Sequence, residues 1–142
     1  QGKAPIVYGD GQQMRCFSYI DDTLQVFDEI CFGSKSASET FNIGPDEDTI
    51  TINELAKLVA KKCKFDGEPI YKDERPLEVK YATCSSSKAR RLLDYKTSTT
   101  LQEAVKKTVD YIVDVGPKAF DYAYRIEIEN DKTPTTWKDR LM

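Results

Sequence analysis

Two four-residue stretches, Thr51-Ile52-Asn53-Glu54 and Thr100-Leu101-Gln102-Glu103, fix where this chain must turn helical. In each, a threonine hydroxyl can accept the amide of the glutamate three positions on, and the glutamate carboxylate can reach back to the threonine amide. Behind the first box, Ile52, Leu55, Ala56, Val59 and Cys63 recur at helical spacing. Behind the second, Leu101, Ala104, Val105, Val109 and Ile112 do the same until Gly116-Pro117 ends the run. Apolar stripes of this kind must be buried against a second layer, and short extended runs between them supply one.

Cys16 to Ile20 reads as a strand, and Asp21 or Asp22 as the cap of a helix over Thr23 to Phe32 that turns Leu24, Phe27, Ile30 and Cys31 inward and ends at Gly33. Phe41-Asn42-Ile43 reads as a buried strand closed by Gly44-Pro45, and Pro69 to Tyr71 as another short strand. Glu74-Arg75-Pro76-Leu77 reads as a loop, since proline biases its predecessor away from helix, and Val79 to Ala82 as extended chain. Ser85-Ser86-Ser87 offers caps for a helix through Leu93, Tyr122 to Ile128 alternates like a late strand, and Trp137 is expected to anchor the tail. No repeat or linker divides residues 1–142, so the expectation is one α/β unit.

Charge and side-chain inventory narrow the chemistry. With 21 basic and 24 acidic residues the net charge is −3, which favours neither nucleic acid nor an anionic membrane. The chain has no histidine, which removes Ser-His and Cys-His catalysis and histidine metal sites from these residues. Cys16, Cys31, Cys63 and Cys84 show no C-x-x-C spacing, so no metal site is expected, and reduced cysteines in apolar runs suit a cytoplasmic protein. No apolar run approaches a membrane span, and no signal-peptide pattern opens the sequence. Gln1-Gly2-Lys3-Ala4-Pro5 begins in loop-like sequence without a methionine, which processing would explain and so would a fragment of a longer protein.

The stretch YGDGQQMRCFSYIDD, residues 8–22, raises the functional question. A dinucleotide loop would need a third glycine where Met14 stands and a strong strand before Gly9, so Gly9-Asp10-Gly11 reads as a tight turn at positive φ. Arg15, inside the run that follows, is then the residue in need of a partner.

Three blocks in order, YGDGQQMRCFSYIDD, FNIGPDEDTITINELAKLV and ERPLEVKYATCSSSKARRLLDYKTSTTLQEAVKKTVDYI, resemble the C-terminal portion of NAD-dependent sugar-nucleotide epimerases and dehydratases. These are extended short-chain dehydrogenase/reductase enzymes, UDP-glucose 4-epimerase among them, and the resemblance covers roughly residues 5–115. It implies the substrate-binding lobe of a Rossmann-type α/β enzyme without its dinucleotide-binding half. Arg15 and Arg75 match the family's two arginines that reach the diphosphate of a nucleoside diphosphate sugar. Tyr19 matches a tyrosine packed beside the substrate groove, and Asp22 the aspartate of the same motif, expected as a helix cap. Asn42 and Gly44 match the Asn-x-Gly closing a strand that joins the cofactor domain's sheet.

The resemblance also has departures. Leu77 stands where glycine usually follows Arg-Pro, Ser85 where aspartate is common, and Cys16 where aspartate often follows the first arginine. A glycine-rich loop and a Tyr-x-x-x-Lys pair, which hold NAD and supply the family's base, have no counterpart here and are expected upstream. No catalytic residue is therefore assigned to the chain. The Phe41–Ile43 edge, lacking a partner strand, makes a homodimer one expectation. Two other readings of the residues stay open: a stand-alone sugar-nucleotide binding module, and a small α/β interaction protein without a ligand.

Overall fold

The computed structural model describes residues 2–118 and 129–138 of the chain. Among these residues, five short strands and six helices follow one another as β1 (Ile6–Tyr8), β2 (Met14–Arg15), α1 (Ile20–Leu24), α2 (Phe27–Phe32), β3 (Ile50–Thr51), α3 (Ile52–Lys62), β4 (Ile70–Lys72), β5 (Tyr81–Ala82), α4 (Ser87–Leu93), α5 (Leu101–Val115) and α6 (Thr135–Lys138). The α/β expectation is met. The expected strand over Tyr122 to Ile128 lies outside the described residues.

The first capping box forms in full: Glu54 N donates to Thr51 Oγ1 at 3.1 Å, and Thr51 N to Glu54 Oε2 at 2.9 Å. The second forms by half, with Glu103 N donating to Thr100 Oγ1 at 3.3 Å. Helices α3 and α5 then pack on each other. Strands β1 and β4 pair in parallel, with Val7 opposite Tyr71, while β2 sits between antiparallel β3 and parallel β5, with Arg15 opposite Ile50 and Ala82.

The glycine turn between β1 and β2 uses positive φ at Gly9 (71°) and Gly11 (69°). Gly11 is further constrained, because a Cβ there would lie 2.0 Å from Asn53 Oδ1. Asn53 cannot easily yield, since it donates to Asp10 O at 2.9 Å and accepts from Tyr71 Oη at 2.9 Å. The turn is therefore packed onto the first turn of α3.

Several expectations need correcting. A strand, β1, does precede Gly9; its three residues are too few for a periodic signal. The strand expected over Cys16 to Ile20 lies earlier, at Met14–Arg15, because the backbone of Met14 is claimed by Lys80 O at 2.8 Å and Ile20 already opens α1. The helix expected over Thr23 to Phe32 is split in two at Gln25–Val26, where Val26 turns inward at 2% exposure and joins Ala89, Leu93 and Tyr95 in the core. The supposed inner face of that helix is exposed at Leu24, Phe27, Ile30 and Cys31, as is Cys63 just beyond α3.

Phe41–Ile43 is not a strand, since no second strand of the described chain lies beside it. Phe41 and Ile43 instead pack sideways against the small core. Ser86 precedes α4 without capping it; its hydroxyl donates to Gly44 O at 2.6 Å and its amide to Asp46 Oδ2 at 2.7 Å. Trp137 is half exposed and makes a weak anchor.

Candidate anion site and the family it belongs to

Parallel pairing of β2 and β5 sets Met14 opposite Tyr81 and Arg15 opposite Ala82, so the chain entering β5 runs beside Arg15. That chain is the turn Arg75-Pro76-Leu77-Glu78, closed by Glu78 N donating to Arg75 O at 3.3 Å. Proline presets φ at the second position, and the third must turn left-handed, which Leu77 does at φ 60°. The turn thereby has the form for which glycine is the ordinary choice, built here with leucine.

Leu77 is 84% exposed and loses no packing if truncated. Leu77→Gly should thus leave stability unchanged or raise it by up to about 1 kcal/mol, left-handed strain relieved against unfolded-chain entropy. Urea unfolding checks this, and a loss above about 1 kcal/mol would contradict it.

The turn places the first and fourth side chains together, and Arg15 arrives from β2. Glu78 takes both: its Oε1 accepts from Arg15 Nη2 at 2.8 Å, and its Oε2 lies 2.9 Å from Arg75 Nε. The second contact is an ion pair without hydrogen-bond alignment, so the buried Arg75 Nε has a charge partner but no aligned acceptor. Arg15 Nη1 donates to Met14 O at 2.8 Å. Tyr8, at the end of β1, lies beneath Arg75 with its ring centre 5.0 Å from the guanidinium carbon. Tyr8 Oη is also buried without a hydrogen-bond partner.

The two arginines singled out from sequence are therefore neighbours around one carboxylate. Glu78 and Tyr8 were missed. The Arg-x-x-Glu spacing across a proline turn was the available signal for Glu78, and nothing local marked Tyr8.

Tyr19 lies elsewhere. It is the residue before α1 and lines a cavity of about 280 Å3 with Phe17, Asp22, Pro45 and Thr97–Leu101, and neither arginine is in that lining. Lys107 Nζ stands 4.7 Å from the centre of its ring.

Asp22 is structural but is not the helix cap expected of it. It sits inside α1, 3% exposed, and accepts four hydrogen bonds from the segment leading into α5: Ser98 N at 3.2 Å, Ser98 Oγ at 2.6 Å, Thr99 N at 2.9 Å and Thr99 Oγ1 at 2.9 Å. Burial pushes its carboxyl up, and these bonds more than reverse that, holding it below the usual aspartate range.

Asn42 Nδ2 reaches Ser85 O at 3.4 Å, and Gly44 is buried where a Cβ would come 2.9 Å from Ser18 Oγ. Asp46 beyond it accepts from Arg90 Nη2 at 2.7 Å, and Arg90 also pairs with Glu47. The Ser86 amide and the Arg90 guanidinium lower the Asp46 carboxyl.

A pair of guanidiniums facing one pair of carboxylate oxygens could also face a phosphate. Comparison with known proteins gives the family. A UDP-glucuronate 4-epimerase of Thermodesulfobacterium geofontis is 31% identical over 109 residues, 74% of this chain and 32% of that protein. The UDP-glucose 4-epimerase of Thermotoga maritima, solved with UDP-glucose, superposes with a TM-score of 0.70 at 29% identity over 80% of this chain and 36% of that one. The chain belongs with the extended short-chain dehydrogenase/reductases. Within that family it is similar to sugar-nucleotide epimerases and also to dTDP-glucose 4,6-dehydratases.

The UDP-glucuronic acid 4-epimerase of Bacillus cereus, solved with UDP-glucuronic acid and NAD, gives a TM-score of 0.72 at 26% identity over 81% of this chain and 37% of that one. No family model matches the chain. It spans about a third of the length of the curated relatives it matches.

NAD is the family's cofactor. The Gly9–Gly11 turn faces Asn53 and is filled by it. Among the described residues no group of His, Cys, Asp or Glu could hold a metal ion, and no helix is long and apolar enough to cross a membrane.

Proposed function

We propose that these residues form the substrate-binding lobe of a cytoplasmic NAD-dependent sugar-nucleotide epimerase or dehydratase, in which Arg15 and Arg75 grip the diphosphate of a nucleoside diphosphate sugar. The observation that carries this reading is the convergence of the two guanidiniums, from separate strands and turns, on one pair of carboxylate oxygens. A diphosphate presents paired anionic oxygens of the same kind, and planar guanidiniums meet them with parallel hydrogen bonds. Tyr19 would flank the substrate groove from the neighbouring cavity, while Asp22, Asn42 and Gly44 keep the scaffold in place.

NAD and the base would come from a cofactor lobe not contained in these residues. The exposed side chains of Ile20, Leu24, Phe27 and Phe32 along α1 and α2 form an apolar surface suited to packing against such a lobe, or in its absence against a second copy in a homodimer. On this reading the 142 residues alone, given NAD and any nucleoside diphosphate sugar, turn over nothing, because the nicotinamide is not held against the sugar carbon. A coupled assay on the purified chain checks this. Turnover surviving exclusion of contaminating enzyme would mean that the chain holds its own base.

A further inference from the structure

We infer that Glu78 is an internal counter-ion occupying the anion site formed by Arg15 and Arg75, and that an incoming diphosphate binds by displacing it. The inference deepens the function proposed above and rests on the same two guanidiniums. Glu78 is largely shielded from solvent, yet it belongs to a turn carried by an exposed leucine, so its side chain can swing out without disturbing the core.

Its hold on the two cations is unequal. Arg15 makes an aligned hydrogen bond to Oε1, whereas the buried Arg75 Nε meets Oε2 at 2.9 Å as an ion pair without hydrogen-bond alignment. A ligand that aligns with Arg75 thus exchanges a misaligned ion pair for an aligned hydrogen bond. Arg15 has committed both terminal nitrogens, one to Met14 O and one to Glu78, and of these only Glu78 is a movable side chain. With Glu78 in place the three charges sum to +1; with it displaced or neutralised, the pair presents +2 to the ligand. A monoanion gains little by expelling a carboxylate, while a group with two charged phosphates gains at both arginines, so the exchange itself selects for a diphosphate.

The test is calorimetric titration of inorganic pyrophosphate, and separately of UDP, into the intact protein and its Glu78→Gln variant at several salt concentrations. Glutamine keeps the size and an acceptor but is a weaker competitor. Pyrophosphate should bind about tenfold tighter to Glu78→Gln, with an affinity that falls more steeply as salt rises. Unchanged or weaker pyrophosphate binding by Glu78→Gln overturns the inference.

Should the glutamine variant fail to fold, Glu78→Asp retains the charge but draws it back by one methylene, and it too should bind pyrophosphate more tightly; equal or weaker binding again counts against displacement. Tighter pyrophosphate binding by the variants with no UDP binding in any form would leave Glu78 as the counter-ion and remove the nucleotide-sugar reading. Absence of pyrophosphate binding in both wild type and variant removes both.

Discussion

Arg15→Ala in the intact protein should weaken UDP binding by about 10- to 150-fold, the about 1.5–3 kcal/mol that a charge-assisted hydrogen bond to phosphate contributes. Arg75→Ala should do the same. The double variant should lose less than the two single losses combined, because in either single variant Glu78 still pairs with the remaining arginine and leaves it nearly neutral toward the ligand. Lysine at either position restores charge but not the planar pair of donors, so recovery should be partial. Calorimetry on the four proteins checks these losses, and wild-type affinity in both single variants would show that the diphosphate is held elsewhere.

Asp22→Ala should destabilise the fold by about 2–4 kcal/mol, since it strips partners from two backbone amides and two hydroxyls that all converge on one buried carboxylate. Asp22→Asn should recover part of this, because the amide oxygen still accepts but the charge and one acceptor are gone. The pH dependence follows from the same contacts. The carboxyls of Asp22 and Asp46 titrate below their ordinary range in the folded chain, so each contributes stability that is present above its unfolded value of about 4 and is lost as pH falls through the lower folded value. Wild type should therefore weaken steeply below about pH 4, and Asp22→Asn should flatten that acid limb. Urea unfolding at pH 7 and across the acid range gives both quantities. A loss below about 1 kcal/mol in Asp22→Ala would mean that the segment leading into α5 is held by other contacts.

What could be read from sequence here was what local chemistry decides. The threonine of each capping box acts within one helical turn, and α3 and α5 begin where those threonines place them. Gly9 and Gly11 were readable as a positive-φ turn because the requirement lies in single residues. The split between α1 and α2 was not, since Gln25 and Val26 carry no breaker; the helix parts there because Val26 is drawn into contact with α4 residues far along the chain. The Phe41–Ile43 run had the composition of a strand but no second strand beside it among the described residues, and extended chain becomes a ladder only with a partner.

At the anion site the two arginines were visible through family resemblance. The carboxylate joining them was not, because Arg15 and Glu78 lie 63 residues apart and meet only when β5 pairs with β2. The same holds for Asp22, whose partners are 76 and 77 residues away. Its position in an Asp-rich stretch before a helix suggested a cap, the local role, when the tertiary role had won.

A crystal structure of the intact protein with UDP bound addresses the arginine pair most directly. The expected result is diphosphate oxygens within hydrogen-bonding distance of both the Arg15 and Arg75 guanidiniums, with the Glu78 carboxylate moved off at least one of them. A diphosphate bound elsewhere, with the Arg15–Glu78–Arg75 cluster undisturbed, would contradict it.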